Sequence, residues 1–191
     1  FEPQNLSNGI FLYSRKTEGD TQELSYVSSL RRKGIPGTSA KIEYTKGISV
    51  HFSPNKKTVH IKDSTSETRG GQVRIFGGVL KDWNFIVLPK VLSYDGMTGT
   101  RASNLGYTGC LTFNDIELFD VSIEVRDTHC EDGVHFTRVR GNIKYLLVHN
   151  SAFDGLDADF SNLTFDRMLI KNAGNDCIDF SGGNYLVRSA L

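Results

Sequence analysis

Asp154-Gly155-Leu156-Asp157-Ala158 and Asp176-Cys177-Ile178-Asp179-Phe180 are two copies of one pattern, and they lie 22 residues apart (176 − 154). A third copy, Asp132-Gly133-Val134-His135-Phe136, precedes them by the same step (154 − 132), and a fourth at 109–113 lies 23 residues earlier (132 − 109). A fixed period of about twenty residues is typical of a solenoid, in which each repeat buries its apolar face only against its neighbours. We therefore expect any functional surface to be built by stacked repeats.

Each copy alternates like a β-strand, because Val134 and Phe136 have the spacing of one face and His135 that of the other. A second apolar pair follows ten and twelve residues after each copy, as at Leu146 and Val148. Weaker apolar positions between the two pairs predict a third strand. After the second pair comes a short polar residue that suits a bend, namely Asp127, Asn150 or Asn172. No copy shows a continuous helical period, and the leucine-rich-repeat consensus is absent. We predict an all-β fold, a right-handed parallel β-helix with about 22 residues and three strands per coil.

The pattern weakens toward the N-terminus without stopping. Its spacing recurs at Val73/Ile75 with Phe85/Val87, and nearly so at Ile48/Val50 with Val59/Ile61. We therefore place the β-helix at residues 41–191, with an inserted loop at about 93–108. Residues 1–40 predict a cap with a short amphipathic helix, which starts at Asp20 and ends before Gly34. Such a cap would cover the apolar end and the unpaired strand edges of the solenoid.

Composition limits the possible partners. Lys and Arg together number 22, as do Asp and Glu, so the net charge is zero and nothing favours nucleic acid. No apolar run approaches the roughly 20 residues that a membrane-spanning helix needs, so we expect no membrane insertion. The chain lacks an initiator Met and ends part-way through a coil, so we expect a fragment whose signal peptide and C-terminal coils are missing.

The three cysteines leave two alternatives open. Cys110 and Cys130 lie on adjacent coils and could form a disulfide, whereas Cys177 lies too far along the stack to reach Cys110. Three small buried thiols are the other alternative. A disulfide would indicate an oxidising compartment.

Residues 155–183, with Asp-Gly-Leu-Asp followed by Gly174-Asn175-Asp176-Cys177-Ile178-Asp179-Phe180-Ser181-Gly182, resemble coils of the pectate-lyase-like β-helix superfamily. Residues 175–182 are most similar to the Asp-Asp-Cys-Ile coil of polygalacturonase-type glycoside hydrolases. Residues 108–183 also resemble β-helix repeat modules of uncharacterised secreted bacterial proteins. The resemblance implies a secreted or cell-surface protein that acts on polysaccharide, with Asp154 and Asp176 at two of three catalytic carboxylates. Asn175 replaces the proton-donating Asp, so polygalacturonase chemistry itself is not supported.

One outward column of the stack carries the candidate chemistry. Thr112, His135, Asp157 and Asp179 should form a ladder with about 4.8 Å between coils, and Asp159 should face the same way. Neighbouring carboxylates require either a raised pKa or a bound cation. The first outcome suits glycoside hydrolysis, with carboxylates about 5 Å apart in retaining enzymes, and the second suits Ca²⁺. A solvated acidic face is the alternative.

Three further residues complete the predicted site. Arg138 flanks the ladder, and Arg101 and Tyr107 lie in the predicted loop, so we assign all three to substrate binding. Asp132, Asp154 and Asp176 form a separate column at the bend, where Asp commonly caps its own backbone. The predicted function is an extracytoplasmic polysaccharide-engaging β-helix, as a glycosidase or lyase with stacked carboxylates, with a non-catalytic glycan-binding or structural module as the alternative.

Overall fold

The computed structural model shows a protein built almost wholly of β-strands. It describes residues 30–64, 71–88 and 106–191, together with the backbone of residues 4–6 and 10–12. These ranges hold one short 3-10 helix, at Pro54–Lys56. The strands are β1 (Gln4–Leu6), β2 (Ile10–Leu12), β3 (Arg31–Gly34), β4 (Lys41–Tyr44), β5 (Ile48–Ser53), β6 (Thr58–Asp63), β7 (Val73–Phe76), β8 (Val79–Lys81), β9 (Asn84–Leu88), β10 (Gly109–Asn114), β11 (Glu117–Thr128), β12 (Asp132–Thr137), β13 (Arg140–Ser151), β14 (Asp154–Phe165), β15 (Met168–Ala173) and β16 (Ile178–Val187).

The strands wind into a parallel β-solenoid of about five turns. On its first face, β7, β10, β12, β14 and β16 pair in parallel in that order. Equivalent positions of successive repeats lie side by side, since Val134 pairs with Leu156 and Leu156 with Ile178. The predicted parallel stacking is confirmed, and with it the placement of the repeated letters in columns.

A continuous stack of aromatic rings fills the interior. The rings of Phe113 and Phe136 stack with centroids 5.3 Å apart, and the row continues through Phe165 and Phe180 at 6.0 Å per step. The side chains of Phe113, Phe136 and Phe165 are fully buried. Alternation along each strand places these rings inside and sends the intervening polar side chains outward.

Bends between faces are made by residues with left-handed backbone conformations. Asp127, Asn150 and Asn172 all have positive φ, which Asn and Asp tolerate better than most residues. Their side chains also form a ladder, because Asn150 Nδ2 donates to Asp127 Oδ1 at 2.6 Å and Asn172 Nδ2 donates to Asn150 Oδ1 at 2.9 Å. Gly133 is required for another reason, since a Cβ there would lie 2.9 Å from the carbonyl oxygen of Gly155 on the next turn.

Antiparallel hairpins continue the sheets at the N-terminal end of the solenoid. Strands β3 and β4 form one hairpin, and β4 pairs antiparallel with β7. Strands β5 and β6 form another, in which Val50 lies opposite Ile61, and β6 begins the parallel stacking against β9. Val59 and Ile61 therefore lie in the predicted parallel column, beside Phe85 and Val87, whereas Ile48 and Val50 belong to the antiparallel strand of a hairpin. Most of the helix predicted from Asp20 lies outside the described residues, but its predicted last turn is wrong, because Arg31–Gly34 forms strand β3.

Cys110 and Cys130 form a disulfide, with Cα atoms 5.3 Å apart. Adjacent strands bring them together, because Gly109 pairs with Asp132. Cys177 is a free, exposed thiol. Within the described ranges, no helix is long and apolar enough to cross a membrane.

Candidate functional site

The first face presents two outward rows of side chains. The first row is formed by residues that pair directly across strands β7 to β16, and the second row lies two residues further along each strand. The predicted ladder is confirmed in the register, and it extends one strand further than predicted, to β7. The first row consists of Arg74, Thr112, His135, Asp157 and Asp179, and the second of Phe76, Asn114, Thr137, Asp159 and Ser181.

His135 is the centre of an acidic cluster. Its Nε2 lies 3.2 Å from Asp159 Oδ2 and 3.6 Å from Asp157 Oδ2, and its Nδ1 lies 4.0 Å from Asp132 Oδ2. Two hydroxyls hold the ring in place, with Thr108 Oγ1 3.0 Å from Nδ1 and Thr137 Oγ1 2.9 Å from Nε2. We call Asp132, His135, Asp157 and Asp159 the His135 cluster.

Asp132 is the most buried member of the cluster, with only 2% of its surface exposed. Burial raises the pKa of its carboxyl to about 7, against a hydrogen bond from Thr108 that lowers it, and the charge of Asp157 raises it further. Asp132 Oδ2 has no hydrogen-bond partner among the described residues. The sequence predicted only that Asp132 lies at a bend, so its place in the His135 cluster was missed. The one available signal was its position three residues before His135.

Asp157 lies in the middle of the row and is half-buried. Burial raises the pKa of its carboxyl to about 6. The neighbouring His135 opposes this shift, whereas the carboxylates of Asp159 and Asp179 add to it by repulsion. The prediction that stacked carboxylates would perturb one another therefore agrees with the geometry of this row.

The remaining predicted carboxylates have other roles or are more open. Asp179 pairs with Asp157 in the row but is exposed. Asp154 Oδ1 accepts hydrogen bonds from Asn175 Nδ2 at 2.7 Å and from the backbone N–H of Asp176 at 2.9 Å. Asp154 thus caps the bend of the following turn, as expected for an Asp at a bend. Asp176 is exposed at the same bend, where Asn175 Nδ2 lies 3.3 Å from its Oδ2.

The predicted substrate-binding residues are not gathered around the His135 cluster. Arg138 lies at the bend after β12, and its guanidinium donates two hydrogen bonds to Asp115, at 2.6 and 2.9 Å. This pair lowers the pKa of Asp115. Tyr107 lies near the other end of the row, where Arg74 Nη1 donates to its hydroxyl at 2.9 Å. Arg101 lies outside the described residues.

A second charged group lies at the N-terminal end of the first row and was not predicted. Glu43 on β4 pairs with Arg74 on β7, and Arg32 on β3 pairs with Glu43. Glu43 is buried, and its carboxylate lies 2.6 Å from Arg32 Nη2 and 3.8 Å from Arg74 Nη1. The Arg74 guanidinium also lies 4.4 Å from the centroid of the Phe76 ring. The repeat copy at Val73/Ile75 already implied that Arg74 stands beside Thr112, but its pairing with Glu43 could not be predicted, because β4 pairs antiparallel and lies outside the repeat.

The arrangement offers two kinds of chemistry. The half-buried Asp157 and its neighbours Asp159 and Asp179 can share acid and base roles, which require two carboxyls in different environments. One ligand atom from each of Asp132, His135 and Asp157 also lies within 4.8 Å of the other two, so these three residues could hold a metal ion. The imidazole nitrogen makes this group a poorer match for Ca²⁺, which takes oxygen ligands.

No protein-family model matches this chain, and no curated protein or solved structure is significantly similar to it. The parallel β-solenoid is shown by the strand pairing itself.

Proposed function

We propose that this protein engages a polysaccharide along the two outward rows of its first face, and that Asp157, with Asp159 and Asp179, cleaves it as a glycosidase or lyase. The observation that carries the proposal is the register of the first row. Five outward side chains, all able to hydrogen-bond, lie side by side on consecutive parallel strands. Such a strip contacts an extended chain at regular intervals.

The length of the strip favours a polymer over a compact small molecule. Seven strands form the first face, in the order β3-β4-β7-β10-β12-β14-β16. Six intervals of about 4.8 Å give a strip of roughly 29 Å. It carries guanidinium groups at one end and carboxylates at the other, with Thr112 between them. Thr112 and Glu43 are buried, so an elongated ligand would contact the strip at Arg32 and Arg74, at His135 and Asp157, and at the exposed Asp179.

The carboxylates support bond cleavage by acid and base. Asp157 is half-buried while Asp179 beside it is exposed, so the two have different environments on adjacent turns. One strand spacing matches the separation of about 5 Å found in retaining glycosidases. Asp157 is the better placed to hold a proton, and Asp179 or Asp159 would act as base or nucleophile. His135 contacts Asp157 and Asp159 and would orient them.

We also infer right-handed winding, a pectate-lyase-like ancestry and an extracytoplasmic location. Crossover connections between parallel strands are right-handed in nearly all known cases. The resemblance of residues 155–183 supports the ancestry. The Cys110–Cys130 disulfide supports secretion or cell-surface display, because disulfides persist in oxidising compartments.

A non-catalytic glycan-binding module is the second candidate. Several charges on the strip are already compensated within the protein, since His135 contacts Asp157 and Asp159, and Glu43 contacts both Arg32 and Arg74. Groups compensated in this way are suited to hold a ligand in place without attacking it. This candidate predicts retention on a glycan without turnover.

A glycan panel tests both candidates. Purified protein, with and without Ca²⁺, is assayed on neutral and acidic polysaccharides for new reducing ends, for unsaturated products and for retention on the insoluble polymer. Turnover that is lost in Asp157→Asn and kept in Asp166→Asn would support the enzyme, because Asp166 lies on another face beside Arg188. Retention without turnover would assign the binding module. Neither turnover nor retention on any glycan would refute the proposed function.

A further inference from the structure

We propose that Asp132, His135 and Asp157 form a binding site for a divalent transition-metal ion of the Zn²⁺ type. This inference goes beyond the proposed function, because it needs no glycan. One ligand atom from each residue lies within 4.8 Å of the other two. Tetrahedral zinc with bonds of about 2.0–2.2 Å holds its ligand atoms roughly 3.4 Å apart, so rotation of the side chains by about 1 Å would close the site.

Independently of these distances, Asp132 carries a buried carboxylate oxygen that no described residue hydrogen-bonds. Only 2% of Asp132 is exposed, and its Oδ2 has no hydrogen-bond partner among the described residues. This same oxygen faces His135 Nδ1 at 4.0 Å. A buried carboxylate oxygen without a partner is costly, because it has given up water and gained nothing in return. A cation between Asp132 and His135 would supply the missing interaction.

A second uncompensated oxygen borders the same place. Thr112 pairs with His135 across β10 and β12, and its buried Oγ1 has no hydrogen-bond partner in the described part of the chain. Thr112 Oγ1 and the Cβ of His135 both lie 2.8 Å from the point where a side chain on Gly109 would begin. Uncompensated oxygens therefore lie near His135 on its own strand β12, at Asp132, and on the neighbouring β10, at Thr112, while the missing side chain of Gly109 keeps the space between these strands open.

The ligand types select the class of metal. Zn²⁺ accepts one imidazole nitrogen and two carboxylate oxygens and leaves a position for water. Ca²⁺ and Mg²⁺ take oxygen ligands and more of them, so the imidazole disfavours both. The carboxylates of Asp132 and Asp157 would also relieve their mutual repulsion by sharing a cation.

Groups around His135 are arranged to support metal binding. A metal-bound His usually donates its other ring N–H to a carboxylate, which fixes the ring and strengthens the bond to the metal. Asp159 Oδ2 lies 3.2 Å from His135 Nε2 and can accept this hydrogen bond, which leaves Nδ1 for the metal. Asp132 Oδ2 already faces Nδ1 at 4.0 Å, whereas Asp157 Oδ2 lies 3.6 Å from Nε2 and would have to turn toward Nδ1 to join it. Thr108 Oγ1 lies 3.0 Å from Nδ1 and would have to yield its hydrogen bond when the metal enters.

Metal and proposed catalysis make different demands on Asp157. A ligand must have lost the proton that a general acid must hold, so zinc and the proton compete for this carboxylate. If both proposals hold, added zinc suppresses glycan turnover, and chelation restores it. Metal binding is measured without any glycan, so failure of one proposal leaves the other standing.

Calorimetric titration of chelator-stripped, tag-free protein with ZnCl₂ alone tests the site. Cys177→Ser serves as the parent, because the exposed Cys177 thiol is a competing zinc ligand. We expect the parent to bind one zinc ion per chain, and Asp132→Asn and His135→Gln each to weaken binding by at least about tenfold. His149→Gln is the matched control, since His149 lies on β13 beside Lys171, and it should bind like the parent.

Two further measurements make the result decisive. Circular dichroism and urea unfolding establish that each variant is folded, and Co²⁺ in place of Zn²⁺ should give the visible absorption of a tetrahedral site. Excess CaCl₂ or MgCl₂ should not displace the zinc. Absence of saturable zinc binding by the parent would overturn the proposal. So would parental zinc affinity in folded Asp132→Asn, or displacement of zinc by Ca²⁺.

Discussion

Replacing Asp132 with Asn should remove a large pH dependence from the stability of the metal-free protein. The Asp132 carboxyl is buried, and burial raises its pKa to about 7. In the unfolded chain an Asp has a pKa of about 3.9. The folded protein therefore binds this proton more tightly than the unfolded chain does, and the sign of the effect follows from that difference.

The contribution of Asp132 is favourable in acid and is lost in base. Below about pH 3 the carboxyl is protonated in both states, so its folding contribution is fully present. As the pH rises to and through about 7, the folded state must either keep a proton or bury a charge, and the contribution is lost. A difference of roughly 3 pKa units corresponds to about 4 kcal/mol. Local relaxation and water entry reduce such penalties, so we expect about 2–4 kcal/mol.

Urea unfolding of the wild type and of Asp132→Asn, in the presence of EDTA, measures this quantity. The free energy of unfolding is compared between the two proteins at about pH 3 and about pH 8.5, one below the unfolded and one above the folded pKa. From the lower to the higher pH, the free energy of unfolding of Asp132→Asn should rise by about 2–4 kcal/mol relative to that of the wild type. Asp166→Asn controls for the loss of one exposed negative charge and should track the wild type. Parallel stability curves for the wild type and Asp132→Asn would refute the reasoning.

Two predictions concern the fold. Phe136→Ala should lower the free energy of unfolding in urea by about 3–5 kcal/mol, because the ring is fully buried between Phe113 and Phe165. Phe160→Ala, at a side chain that is 69% exposed, should change it by less than about 0.5 kcal/mol, and equal losses for the two variants would contradict the aromatic core. Replacing both Cys110 and Cys130 by Ser should cost about 3 kcal/mol, because the disulfide closes a short loop with a sequence separation of 20. A reductant should lower the urea midpoint of the wild type and leave that of the double variant unchanged, so a midpoint insensitive to reductant in the wild type would argue against a stabilising disulfide.

Much of the fold could be predicted because the repeats record it directly. The alternation of Val134, His135 and Phe136 sets which side chains point inward, and the constant step between copies sets which of them stack. The N-terminal end could not be predicted in the same way. An apolar pair at a similar spacing fits either a parallel turn or a hairpin, and Ile48/Val50 with Val59/Ile61 proved to be a hairpin. Pairing direction depends on partners that local spacing does not reveal.

The sequence predicted which residues of the candidate site share an outward column, but it did not predict which of them are buried. The shared column of His135, Asp157 and Asp179 followed from the period. The burial of Asp132 and the pairing of Arg138 with Asp115 did not, because both occur at bends, where small backbone rotations redirect a side chain. The pairing of Arg74 with Glu43 could not be predicted either, because β4 joins the sheet antiparallel and lies outside the repeat.

By itself, the amino-acid sequence determined a stacked β-architecture and one polar column, since both depend only on period and alternation along the chain. Only the tertiary structure decided which polar groups are buried away from solvent, which are hydrogen-bonded or ion-paired, and which lack a partner. Burial and pairing arise between turns of the chain that are far apart in sequence. Asp132 became the centre of the metal proposal because its environment is formed by neighbours on three different turns, Thr108, His135 and Asp157.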